Sequence, residues 1–134
     1  MKKDIPIRSV EDLYIAIVPD PIQPDGELWE VYILSLREQP IRNLLIASRG
    51  YGELEGNPVE TSVLRHFFEE MQGLSYSKIE NIQTAVFQLH NEYWISFTED
   101  GYMYDKKYTF VAGSISQDYF TTIPLLGRRG VMIG

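Results

Sequence analysis

Leu28–Gly52, LWEVYILSLREQPIRNLLIASRGYG, decides the fold. Two dense apolar runs flank a short polar break, Arg37-Glu38-Gln39-Pro40, whose proline and charges suit a turn. Each run is rich in Val, Ile, Leu, Tyr or Trp, too short for a typical helix and too apolar for a loop. A central strand pair is the expected outcome. Within Leu28–Leu36, alternation puts Trp29, Val31 and Ile33 on one face and Tyr32, Leu34 and Leu36 on the other. A strand apolar on both faces belongs in the middle of a sheet under a second layer.

Toward the amino end, Asp12–Val18 reads as a further strand, ended by Pro19-Asp20-Pro21 because proline removes ladder donors. The loop over 20–27 follows, with Asp25-Gly26 as its sharpest turn signal. Toward the carboxyl end, Gly50, Gly52 and Gly56 mark a flexible connection. Thr61–Gly73 is contested. Val63, Leu64, Phe67, Phe68 and Met71 fall at helical spacing, with Thr61 or Ser62 as cap and Gly73 as stop. The surrounding β context argues instead for a strand. A short helix over 61–72 has the slight edge.

Ser75–Ile82 alternates weakly and is polar enough for an edge strand. Ala85–Leu89 is expected to be a short strand. Glu92–Val111 is the clearest hairpin, turning at Asp100-Gly101, a strong type I′ signal. That turn sets Phe97 opposite Tyr104 and Tyr93 opposite Tyr108. Tyr93, Ile95, Phe97, Tyr102, Tyr104, Tyr108 and Phe110 then share the inner face, and Trp94, Ser96, Thr98, Asp105, Lys107 and Thr109 the outer. In the tail, Gly127-Arg128-Arg129-Gly130 reads as a tight turn with basic residues at its tip.

These elements define an all-β, mainly antiparallel fold: a two-layer β-sandwich, immunoglobulin-like in architecture, formed by one domain over 1–134. No alternation of strands and helices points to a parallel α/β fold. A chain of 134 residues buries about two thirds of its unfolded surface and needs no disulfide or metal to fold. It has no cysteine, which removes thiol catalysis and cysteine-ligated zinc. Net charge is −7, spread along the chain, a field that disfavours phosphate backbones and so nucleic acid. Asp4, Pro6, Arg8, Glu11 and Asp12 interrupt any signal-like apolar run, and no stretch reaches a membrane span; a cytoplasmic protein is expected.

DLYIAIVP, NLLIASRGYGE, TSVLRHFFEE, NEYWISF, YDKKYTFV and IPLLGRRGVMI together resemble a group of short bacterial proteins of undefined activity, over nearly the whole chain. Some of that group carry a phenylalanyl-tRNA synthetase subunit label. No residue here matches a synthetase catalytic motif, so the resemblance implies kinship and no activity.

No catalytic or cofactor motif stands out, and no cofactor or metal is expected. The glycines at 50, 52 and 56 lack GxGxxG spacing and a following Lys-Ser/Thr. His66 and His90 lack metal-site spacing. Asp20, Asp25 and Glu27 do not form a calcium loop, and Glu99-Asp100 diverge at a hairpin tip, unlike a glycosidase pair. Four residues are candidate partner contacts. Trp94, opposite Lys107, would be an exposed tryptophan on a sheet surface, with a cation–π pair or burial under a second layer as the plainer accounts. Arg128 and Arg129 would bind an anion or acidic patch, with a solvated turn as the alternative. The leading functional expectation is a non-enzymatic protein-interaction module that binds another protein or its own copy. The alternative is a small-molecule binding domain with a pocket lined by Tyr102, Tyr104 and Tyr108. An enzyme using His66 or His90 as base ranks third, and needs a carboxylate and a reactive group within reach of one imidazole.

Overall fold

The computed structural model describes residues 7–134; the basic start at Lys2 and Lys3, with Asp4 and Pro6, lies outside the described residues. The described residues hold eleven strands: β1 (Ile7–Arg8), β2 (Leu13–Pro19), β3 (Leu28–Ser35), β4 (Ile41–Leu54), β5 (Asn57–Glu60), β6 (Leu64–Met71), β7 (Ser75–Gln83), β8 (His90–Glu99), β9 (Tyr102–Phe110), β10 (Thr121–Thr122) and β11 (Arg129–Ile133). They form two sheets. The six-stranded sheet runs β1-β9-β8-β4-β5, with β6 also paired to β4. The five-stranded sheet runs β10-β11-β2-β3-β7. Only β1–β9 is parallel among the described pairings. The fold is thus the expected all-β, mainly antiparallel sandwich.

The core lies between the sheets. Ile15, Ile17, Val31 and Ile33 from one sheet meet Ile46, Tyr93, Ile95 and Phe97 from the other. β3 is two-faced as expected: Trp29, Val31 and Ile33 enter this core, while Leu34 and Tyr32 join a smaller cluster on the outer face. That cluster is closed by Ile123 and Leu126. Leu13, Ile15 and Ile17 are almost wholly buried. Burying side chains of this size contributes about 1.5–3 kcal/mol each before entropy is charged against it.

The strand pair expected from 28–52 does not form. β3 pairs with β2 and β7, whereas β4 pairs with β8, β5 and β6. The 37–40 break therefore carries the chain from one sheet to the other. Each apolar run is central to a separate sheet, and the sequence pattern of two such strands is the same either way. The glycine-rich stretch is not a loose connection but the end of β4, which turns at Glu55-Gly56 into β5. Both turn residues have positive φ (52° and 79°), the hairpin geometry that glycine supplies without strain.

The expected helix over 61–72 is a strand. β6 pairs antiparallel with β4, Phe67 opposite Leu45 and His66 opposite Ile46. Helical spacing grouped Val63, Leu64 and Phe67 on one buried face, yet all three are exposed. The open ladder of β4 offers hydrogen bonds over eight residues, and aromatic residues suit a pleated surface. The strand expected at 85–89 is a short 3-10 turn, Thr84–Gln88. It carries the chain between sheets, and its Val86 and Phe87 pack on the core.

The hairpin β8–β9 forms in the expected register: Tyr93 faces Tyr108, Trp94 faces Lys107, and Phe97 faces Tyr104. Asp100 and Gly101 both have positive φ, as a type I′ turn requires. β7 is an edge strand, as its polarity suggested. In the tail, the turn falls at 123–127, where Gly127 N–H donates to Ile123 O (2.9 Å). Arg128 and Arg129 therefore follow the turn, because Gly130 and Val131 are needed in β11.

Candidate functional site

Three places gather side chains with chemical potential. The first is the outer face of the six-stranded sheet. Alternation sends Tyr93 and Ile95 inward and Trp94 outward. Trp94 is 45% exposed, and its ring carries Lys107 Nζ 5.0 Å from the centroid. Its indole N–H donates to Asp105. The cation–π account of Trp94 thus coexists with its exposure. Beside it, Leu45 and Phe67 are also exposed, Phe67 at 62%. Phe67 faces Leu45 across the β6–β4 pair, and Trp94 faces Ala47 in the next row. An apolar strip therefore crosses β6, β4 and β8. Its far end is charged: Arg49 Nε lies 2.9 Å from Glu92 and its Nη1 2.7 Å from Glu60. Those two carboxylates, Glu92 first, raise the guanidinium above its ordinary range.

The second is the free edge of β6. The strand pairs with β4 on one side and with no strand on the other among the described residues. Arg65, Phe67 and Glu69 alternate onto the outer face, all exposed. Among the described residues, neither Arg65 nor Glu69 takes part in an ion pair.

The third is a cleft of about 310 Å³ where the two sheets part beside β7. Glu80 stands in its wall and accepts three hydrogen bonds. Ser48 Oγ donates to Oε1 (2.8 Å), His66 Nε2 lies 2.7 Å from that same oxygen, and Tyr93 O–H donates to Oε2 (3.1 Å). A β-bulge puts Glu80 there. Val31 pairs with Glu80 and Tyr32 with Lys78, leaving Ile79 as the extra residue. Lys78 points outward to Glu30, while Ile79 and Glu80 both turn inward. Burial, reinforced by Glu80, holds the Tyr93 phenol well above its ordinary pKa, so it stays a donor.

His66 thus has a carboxylate beside it, and Ser48 reaches that carboxylate rather than the imidazole. His90 is elsewhere, its Nδ1 accepting from Ala112 N–H (3.0 Å). Of the tyrosines read as a pocket, Tyr108 is buried and donates to Leu13 O (2.8 Å), and Tyr104 stacks on Phe97 at 4.7 Å. Arg8 covers the Tyr102 ring at 3.4 Å. Tyr102 and Tyr104 are only half-buried, and Tyr104 lines a cleft of about 620 Å³ with Arg8, Glu11, Asp12 and Arg37. Arg128 lies on the opposite outer face from Trp94, and Arg129 donates to Phe120 O (3.1 Å). The structure does not bring the arginines and Trp94 together.

The Glu80 cluster went unread in the sequence. His66, Glu80, Ser48 and Tyr93 have no motif spacing; only the polarity of 75–82 within an apolar fold hinted at it. Among the described residues no group of His, Asp and Glu could hold a metal ion. No described helix is long and apolar enough to cross a membrane. No family model, no curated protein and no solved structure matches the chain.

Proposed function

We propose that this chain is a non-enzymatic interaction module that pairs with a second copy of itself through the free edge of β6. One observation carries the reading: the exposed outer-face series Arg65, Phe67, Glu69 on an unpaired edge. An antiparallel pair centred on Phe67 sets Phe67 against its own copy. It also sets Arg65 opposite Glu69 of the second chain, twice over, because a two-fold axis repeats each contact. Opposite charges directly across strands favour pairing, by about 0.2–1 kcal/mol per pair, and aromatic pairs contribute similarly. Edge strands are often blunted by charged side chains or proline; β6 has no proline, and the charges on its outer face, Arg65 and Glu69, are of opposite sign.

Pairing would continue the six-stranded sheet across two chains and set the Phe67–Leu45–Trp94 strips side by side. Trp94 and Lys107 then flank the joint surface, in the contact role the sequence suggested for them. Sedimentation equilibrium over a wide concentration range tests the reading. A reversible monomer–dimer equilibrium is expected, abolished by Phe67→Lys with the fold intact. A strict monomer at the highest concentration would overturn it.

A further inference from the structure

We infer that the cleft beside Glu80 binds a small organic cation: a primary ammonium group on a short apolar body. Binding in the cleft does not require the β6 pairing, although Leu64 and His66 belong to β6. Among the described residues Glu80 is the one carboxylate lining the cleft, and its side chain is only 12% exposed. Among the described residues it has no lysine or arginine partner; its partners are two hydroxyls and one imidazole. Two other shielded carboxylates are matched by full cations, Glu30 by Lys78 and Arg128, Glu92 by Arg49. Glu80 thus has His66 as its one ion-pairing partner, on Oε1, and a second cation can be taken at Oε2. Here that cation can come from outside, because the cleft opens onto the group.

The rest of the wall fits such a ligand. Oε1 is filled by Ser48 and His66, whereas Oε2 takes only Tyr93 and keeps acceptor capacity. Asn91 spends both amide hydrogens on Val86 O (2.9 Å) and Leu89 O (3.1 Å), which leaves its side-chain oxygen as a second acceptor in the cleft. The hydroxyls of Ser48 and Tyr93 are already used on the carboxylate, and Arg49, the one cation lining the cleft among the described residues, is engaged by Glu92 and Glu60. Leu64, Ile82 and Val86 supply apolar surface for a short body. Leu64, half exposed at the rim, would be covered. A volume of about 310 Å³ suits a small ligand, at the low end of the usual range of about 300–1,000 Å³. The bulge at Ile79 is what delivers the carboxylate, and bulges re-aim side chains beside functional sites.

The test uses n-hexylammonium chloride, n-hexanol and sodium hexanoate as probes, followed by amide and imidazole NMR shifts on the full chain. Saturable shifts are expected for the ammonium at Ser48, His66, Glu80 and Tyr93, with hexanol at least tenfold weaker and hexanoate without effect. Glu80→Gln should weaken the ammonium at least tenfold. Leu64→Ser, at an exposed rim position, should weaken hexylammonium severalfold and leave methylammonium unchanged, which keeps the test decisive if Glu80→Gln fails to fold. Equal binding of ammonium and alcohol, shifts scattered outside the cleft, or hexylammonium affinity indifferent to Leu64→Ser would overturn the inference.

Discussion

Arg128 Nη1 lies 2.8 Å from Glu30 Oε1, and the same guanidinium donates to Pro19 O and stands 5.8 Å over the Tyr32 ring. Two residues nearly a hundred positions apart thus fasten the tail to the middle of the five-stranded sheet. Both side chains are largely shielded, 25% and 15% exposed. Arg128→Glu should therefore cost roughly 1–3 kcal/mol, between the values for exposed and buried pairs. Arg129→Glu, in contrast, should stay within about half a kcal/mol. Urea unfolding of both variants checks this, and equal costs would refute the division of roles.

Phe97 is buried and Tyr104 only half-buried, although their rings stack with planes 5° apart. Phe97→Ala should lose about 3–5 kcal/mol, as large aromatic truncations in cores do. Tyr104→Ala should lose less, about 1–2 kcal/mol, chiefly the stack and partial burial. Denaturant midpoints of the two variants decide the order.

The carboxyl and phenol groups set opposite pH limits. Burial alone would raise Glu30, but Lys78 and Arg128 outweigh it and hold the carboxyl below its ordinary value. Its stabilisation is whole above about pH 4.3 and is lost as pH falls below that, because the unfolded chain takes up the proton first. Tyr93 and Tyr108 are pushed upward, mainly by burial. Their stabilisation is whole below about pH 10 and is lost as pH rises beyond it, since the unfolded chain gives up the proton first. Stability measured by chemical denaturation from pH 3 to 11.5, roughly spanning both windows, should fall at each end. Tyr93→Phe should flatten the alkaline fall and leave the acid one unchanged.

Gly73 sits where a β-carbon would collide with the carbonyl groups of Glu38 and Arg37. That backbone cannot easily retreat, because Leu74 N–H is bonded to Arg37 O (2.8 Å). Gly73→Ala is expected to cost at least about 1–3 kcal/mol, the usual penalty of overpacking. Thermal unfolding of the variant would reveal it.

The hairpin β8–β9 was legible to the residue because its information is local: an Asp-Gly turn fixes the register and alternation fixes the faces. The faces of β3 were legible for the same reason. Which strands neighbour one another was not. The 37–40 break reads alike whether the chain doubles back or crosses to the other sheet. For 64–71, two periods fit the same apolar residues, and the open ladder of β4 chose between them. Glu80 was beyond reach, since its inward turn depends on a one-residue bulge and its partners come from β4, β6 and β8. Trp94 and Lys107 were placed as expected, whereas Arg128 was drawn into a pairing with Glu30 that no local pattern encodes.

Self-pairing through β6 is tested most directly by exchanging its charges. Sedimentation of Arg65→Glu, Glu69→Arg and the double exchange at one concentration compares the three. Either single change puts like charges opposite one another twice and should shift the equilibrium to monomer. The double exchange restores opposite pairs in the same register and should recover the dimer. A double variant as monomeric as the singles, or single variants as dimeric as the parent, would contradict the pairing of β6 with its own copy.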